Sequence, residues 1–382
     1  MLETLQPQSR RIFKLARTDP PAATKALGAL SLDAQVALVC ETPLPRRGEL
    51  LDLLPAPEQV IPLIPEAEFC FTVKALGLAD APAILEYATP EQVVACIDLD
   101  GWSGTSPDHQ SLEAWFDALS RTEDEAFLRS IRAIDPEILA LHLRSRIDVE
   151  LKPQDDDWEP ADGSQTLEGQ FYFTARSEND DLASIGRILH LLFDRHYWFY
   201  FRMMQSAIWE LAAENEEWAL RWRTGRLQDL GFPPWEESMA IYGHLRAHQL
   251  AAVPEDTRPL DLGEWKIPVW ISNLPTTGGE ASSLVFQTIA QLEDSERQGC
   301  FYAFIATSNK VAVADRMILS DAEATPRAIE KAARFISDGL AFVASENQLE
   351  AADVLRRVGM DRLFRVGANL KPNRAEAGLS PQ

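Results

Sequence analysis

The sequence predicts a mainly α protein: an N-terminal array of short stacked helices, then a larger helical domain, with a minor two-stranded β element near the boundary. Three observations predict this. Helix-start signals recur at Pro57-Glu58, Pro65-Glu66, Pro90-Glu91 and Pro136-Glu137. Proline at the first helical position has its φ preset and no donor to waste, and the neighbouring glutamate suits the positive helix end. Further on, apolar residues recur at three- and four-residue steps, as at Leu182, Ile185, Leu189, Leu192 and Phe193. Period-two alternation is confined to one short region, Ile147, Val149 and Leu151, answered in part by Leu167, Phe171 and Phe173.

Residues 1–150 read as the short-helix domain. Ser31, Thr89 and Asp135 stand where capping side chains belong. Ala56-Pro-Glu-Gln-Val-Ile-Pro-Leu-Ile64 is echoed by Thr89-Pro-Glu-Gln-Val-Val-Ala-Cys-Ile97, 33 residues on, about one helix–turn–helix unit. Short helices cannot stand alone, so they are expected to stack on a shared core. Residues 151–168, rich in aspartate with Pro153, Pro160 and Gly163, read as an acidic linker or hairpin loop. Residues 169–370 form the larger helical domain, and 371–382 a loose tail.

The stretch from Asn179 to Glu237 organises that second domain. Asp180 and Asp181 are expected in a first helical turn. A second helix is expected from about Phe199 to Arg226, burying Met203 or Met204, Ala207, Ile208, Leu211, Trp218 and Trp222 on one side. Gly231 should cap it, and Pro233 and Pro234 end it. Trp235 to Ala247 begins another helix, Trp265 to Ile271 runs extended, and helices follow over Ser282–Gln298, Thr325–Phe342 and Leu349–Phe364.

At 382 residues, two domains are the expectation. The net charge of -23 repels phosphate backbones and anionic membranes, which argues against nucleic-acid binding. No apolar run reaches the ~18–20 residues of a bilayer span, so no membrane insertion is expected. The N-terminus does not read as a secretory signal, and the dispersed Cys40, Cys70, Cys96 and Cys300 read as buried thiols. The expected location is the cytoplasm.

Four groups of residues could carry chemistry. Asp98 and Asp100, before Gly101 and Trp102, could help hold a divalent cation, but the following loop lacks the ligand spacing of an EF-hand. His190 and Asp194 share a helix face, as do Glu210, Glu214 and Glu217; a bundle metal site would add a Glu-x-x-His pair, which is missing. His244 and His248 have zinc-ligand spacing, but Leu245 occupies the glutamate position of a zinc hydrolase, so an exposed helix is expected. Trp218, Arg221, Trp222 and Arg226, with Arg223, could grip an anion or a partner if exposed. No catalytic residue is assigned, no cofactor is expected beyond the divalent-cation alternative, and the metal is unspecified.

Two resemblances add to this. PEQVIPLI and TPEQVVACIDLDGW, in the first third, resemble the cytoplasmic N-terminal helical domain of MgtE-type magnesium transporters. Asp98-Leu-Asp-Gly-Trp102, Trp222-Arg-Thr-Gly-Arg-Leu-Gln-Asp-Leu-Gly-Phe-Pro233 and Leu363-Phe-Arg-Val-Gly367 are similar to an uncharacterised bacterial family known only as a domain of unknown function. Neither implies an activity. The leading expectation is a helical scaffold or regulatory module that binds a protein partner. The alternatives are a divalent-cation or small-ligand sensor, and an enzyme centred on His190, Asp194, Glu210 and Glu214.

Overall fold

The computed structural model describes residues 5–154, 157–177, 182–253, 283–321 and 324–370. Among them are twenty-one α-helices and two small antiparallel β ribbons. The expected extended run at 265–271, the first-turn aspartates 180 and 181 and the tail after 371 lie outside the described residues. Two compact units divide the chain, 1–226 and 227–382.

Unit 1 begins with α1 (Leu5–Thr18), α2 (Pro20–Gly28), α3 (Leu32–Glu41), α4 (Arg47–Leu51), α5 (Pro57–Val60), α6 (Glu66–Leu76), α7 (Pro82–Leu85) and α8 (Pro90–Asp100). The ribbon β1 (Trp102–Ser103) and β2 (Ser106–Pro107) precedes α9 (His109–Leu119), α10 (Asp124–Ala133) and α11 (Pro136–Arg146). Then come β3 (Ile147–Leu151), β4 (Phe171–Ala175), α12 (Ala183–Arg195), α13 (Tyr197–Trp209) and α14 (Ala212–Asp229).

Three of the four Pro-Glu signals place proline at the first helical position, opening α5, α8 and α11, while Pro65 stands one residue earlier, as the N-cap of α6. Thr89 accepts from the Gln92 amide while the Gln92 side chain takes the Thr89 amide, a reciprocal capping box. Gln92 does more: its buried amide donates at 2.8 Å to the carbonyls of both Ile61 and Ile64, tying the two echoed segments together. The echo does not fold alike. Pro62 places a 3-10 turn after α5, whereas α8 runs on for 11 residues.

A buried ion pair fastens the N-terminal helices. Arg47 and Glu68, both 1% exposed, meet at 2.7 Å. Arg47 also donates to the carbonyls of Cys40, Thr42 and Glu68 and to the Thr72 hydroxyl. A guanidinium taken from water must spend its donors in this way.

The unit division falls at Arg226/Leu227 rather than at 151–168, where the sequence places it. The reason is that the β ribbon has a core to pack on. Its register pairs Ile147 with Ala175, Val149 with Phe173 and Leu151 with Phe171. Ile147, Phe171 and Phe173 are buried, and Phe171 meets the rings of Tyr200 and Phe201 on α13 at 6.4 and 5.4 Å.

The single helix expected over 199–226 is two helices. The chain turns extended at Glu210 (φ -78, ψ 145), and α14 starts afresh. In unit 2 the C-terminal stop of α14 is as expected: Phe232 N–H reaches the Leu227 carbonyl and Gly231 N–H that of Gln228, with Gly231 at φ +82.

Unit 2 continues with α15 (Trp235–Ser238), α16 (Ala247–Leu250), α17 (Leu284–Ala290), α18 (Asp294–Ala314), α19 (Ala324–Asn347), α20 (Ala351–Arg357) and α21 (Met360–Leu370). The helix expected from Trp235 onward ends early because the Gly243 carbonyl is taken by Arg365 and Asn369, which leaves Gly243–Arg246 non-helical. His244 is therefore off any helix, and the His244/His248 helical face is not formed.

The core of unit 2 is built on a crossing of α19 and α21. A methyl on Gly339 would lie 2.0 Å from the Leu363 carbonyl oxygen, and one on Gly367 would lie 1.9 Å from that of Phe335. Only glycine lets the two backbones touch. Around this crossing Phe304, Ile336, Leu340, Leu363 and Phe364 are fully buried.

Gly339→Ala should cost at least about 3 kcal/mol, since backbone cannot move aside cheaply. Gly186→Ala on α12, where nothing lies within 4 Å, should instead gain about 0.5–1 kcal/mol. Thermal melts of the two variants check the contrast.

His142 gives a pH prediction. Its ring, 2% exposed, stacks on Phe116 at 4.1 Å, and its Nε2 has no hydrogen-bond partner among the described residues. Burial, then the Arg146 charge and His109, push its pKa down to about 3 from 6.5. The unfolded chain therefore takes the proton first. Stability is fully present above pH 6.5 and should fall by about 1.4 kcal/mol per pH unit below it, down to about pH 3. Urea titrations of His142→Leu against wild type should show that slope missing from the variant.

Candidate functional site

Helix α14 carries the site, because its two sides do different things. Residues 215, 219, 223 and 226 share one side by helical spacing. Asn215 and Ala219 are buried, and Arg223 and Arg226 reach inward. Arg226 spans two carboxylates. Its Nε and Nη2 meet Asp98 at 2.6 and 2.9 Å, and its Nη1 and Nη2 meet Asp135 at 3.0 and 2.6 Å. Arg223 donates to the carbonyls of Asp98 at 2.7 Å and Gly104 at 3.2 Å, and its guanidinium lies 4.9 Å from the Trp102 ring centroid. Asp135, at the start of α11, gives its carboxylate to Arg226 rather than to its own helix end.

The electrostatics follow from burial. Loss of water raises the Asp98 carboxyl above its ordinary pKa, against the opposing pull of Arg226. Burial likewise lowers Arg223 to about 10. Burial works against the Arg226 cation too, but its bonds to Asp98 and Asp135 outweigh that and raise its pKa. The directions differ because Arg226 has two carboxylates and some water, while Asp98 is 2% exposed.

Asp100 is also occupied from within. Its Oδ2 accepts from Lys74 Nζ and from the Trp115 indole, both at 2.8 Å. Side-chain cations thus sit where a divalent cation would be needed. Among the described residues no group of three or more His, Cys, Asp or Glu is placed to hold a metal ion.

The remaining candidates point outward. His190 is exposed, with Nδ1 2.8 Å from the Gly186 carbonyl of its own helix. Asp194, Glu210 and Glu214 are exposed, and the Glu210 carboxylate accepts from the nearby Ser206 hydroxyl. The expected burial of Leu211, Trp218 and Trp222 is not found. They are 62%, 46% and 48% exposed, since a turn of about a quarter circle separates them from the arginine side. Trp218 and Trp222 stack at 6.0 Å and 25°, and the Arg221 guanidinium lies 5.3 Å from the Trp218 ring. Arg221 forms no ion pair among the described residues.

Sequence reading missed Lys74, Trp115 and the second role of Asp135. Lys74, the one basic residue of α6 and set in its last turn, was the available signal.

The family model described as "Family of unknown function (DUF6178)" matches residues 24–373. The chain belongs to that family. The match spans nearly all of both units of this DUF6178 chain, and the MgtE-type resemblance finds no support beside it. No curated protein and no solved structure matches the chain.

Arg226→Gln leaves the buried Asp98 and the half-buried Asp135 without their cation. It should cost about 3 kcal/mol, read as a lowered urea midpoint; an unchanged midpoint would show that the triad is not a structural hub.

Proposed function

We propose that this DUF6178 chain is a helical scaffold that binds another protein through the Trp218–Trp222 face of α14. The observation behind this is that two stacked indoles lie outward on a helix whose other side is anchored by partly buried ion pairs. Tryptophan and arginine are enriched among the residues that dominate the energetics of protein interfaces, and tryptophan buries a large area with only about two rotors. A rigid helix presenting them loses little entropy on binding. Arg221, which forms no ion pair among the described residues, adds a cation beside the rings in a chain of net charge -23. The partner's surface is therefore an apolar pocket with a carboxylate at its rim. Four unbridged cysteines fit a reducing compartment, and the cytoplasm is the location this reading assigns. No described helix is long and apolar enough to cross a membrane.

A photo-crosslinker at position 222 identifies what sits on this face in cells. The partner so found, once purified, should bind Trp218→Ala/Trp222→Ala at least about 30-fold more weakly than wild type. The variant's melt should be unchanged, because neither ring is in the core. Equal affinity for both proteins would refute the proposal.

A further inference from the structure

A second feature of unit 1 is independent of α14. Where α12 ends and α13 begins, a cleft of about 520 Å³ opens against α10. Arg132, Arg195, His196, Tyr197, Trp198 and Phe199 line it. Its volume is that of a small-molecule site, about 300–1,000 Å³.

Its composition runs against the rest of the chain. Aspartate and glutamate outnumber lysine and arginine 59 to 36, yet the lining holds two arginines, a histidine and no carboxylate. Arg132 forms no ion pair among the described residues. Arg195 is bonded to Glu125, whose side chain is 81% exposed and free to swing into water. Glu168 lies at the far end of Tyr197, accepting its hydroxyl at 2.9 Å. Trp198 is 78% exposed, against 38% for Tyr197 beside it. Its ring lies near-perpendicular to those of Tyr197, at 5.7 Å and 67°, and Phe201, at 6.1 Å and 78°. An indole so exposed offers apolar ring area on which a flat ligand can stack.

We infer that this cleft binds a small planar aromatic anion, its ring stacked on Trp198 and its carboxylate or phosphate held by Arg132 and Arg195. Guanidinium forks match either anion in a bidentate manner. A bare inorganic anion would leave the indole unused, and at these exposed arginines it would be weakly held and screened by salt. A neutral ring would leave Arg132 unanswered.

Calorimetric titration of the full chain with adenosine monophosphate and with benzoate tests this, with adenosine and inorganic phosphate as controls. Saturable binding of either anion, with both controls at least about tenfold weaker, is expected. Binding of the monophosphate alone assigns a phosphate ligand, and binding of benzoate alone a carboxylate. Arg132→Ala and Trp198→Ala alter exposed side chains and should keep the fold, yet each should weaken binding about tenfold or more. Absence of saturable binding by both anions, or binding untouched by both substitutions, would overturn the inference. Neither outcome bears on the α14 face, whose variants lie elsewhere.

Discussion

Arg226 is the constraint on which unit 1 turns. Helix α14 offers two stripes to a core: an apolar one through Trp218 and Trp222, continued by Leu211 just before the helix, and a polar one through Asn215, Ala219, Arg223 and Arg226. Hydrophobic burial alone favours the first. The structure buries the second, because Arg226 finds Asp98 and Asp135, 128 and 91 residues earlier in the chain, both within hydrogen-bond distance. Arg223 then reaches the backbone around Gly101 and covers Trp102. Satisfied charge-assisted bonds offset the desolvation of the polar stripe, and the apolar stripe is left in water.

The same device recurs in unit 1 at smaller scale. Its helices are short, and several are a single turn. Such helices gain little from their own hydrogen bonds and depend on contacts between neighbours. Besides apolar packing, buried polar side chains supply those contacts: Arg47 with Glu68, Gln92 with two carbonyls of the preceding segment, and Asp100 with Lys74 and Trp115. Each joins elements separated in sequence by 21 residues or more, or by 15 for Trp115. Directional bonds of this kind select one arrangement among many that would bury similar area.

Unit 2 solves its packing differently. Its longest helices, α18 and α19, run 21 and 24 residues, and paired glycines bring α19 and α21 to backbone contact. Polar pairs serve at the edges: Asp361 accepts from Thr307 and Lys310, and Asp315 from Tyr242 and Lys331. The Leu363-Phe-Arg-Val-Gly367 segment thereby acquires a reason for each member. Leu363, Phe364 and Val366 fill the core, Arg365 holds the Gly243 carbonyl, and Gly367 permits the crossing.

The sequence by itself determined the local structure. Prolines at N1, the Thr89 capping box, Gly231 at a helix end and the alternation at 147–151 and 171–175 are signals that act within a few residues, so they were legible. It did not determine the unit division or the break at Glu210, which depend on what packs against each segment. The candidate site was legible only as a set of residue types: Asp98, Trp218, Arg221, Trp222 and Arg226 were all singled out, but their pairing was not. Helical spacing says which side chains share a face and is silent on which face meets a core. Only the tertiary structure brought Asp98 and Asp135 to one guanidinium, and that meeting decided that the arginines turn inward and the tryptophans outward.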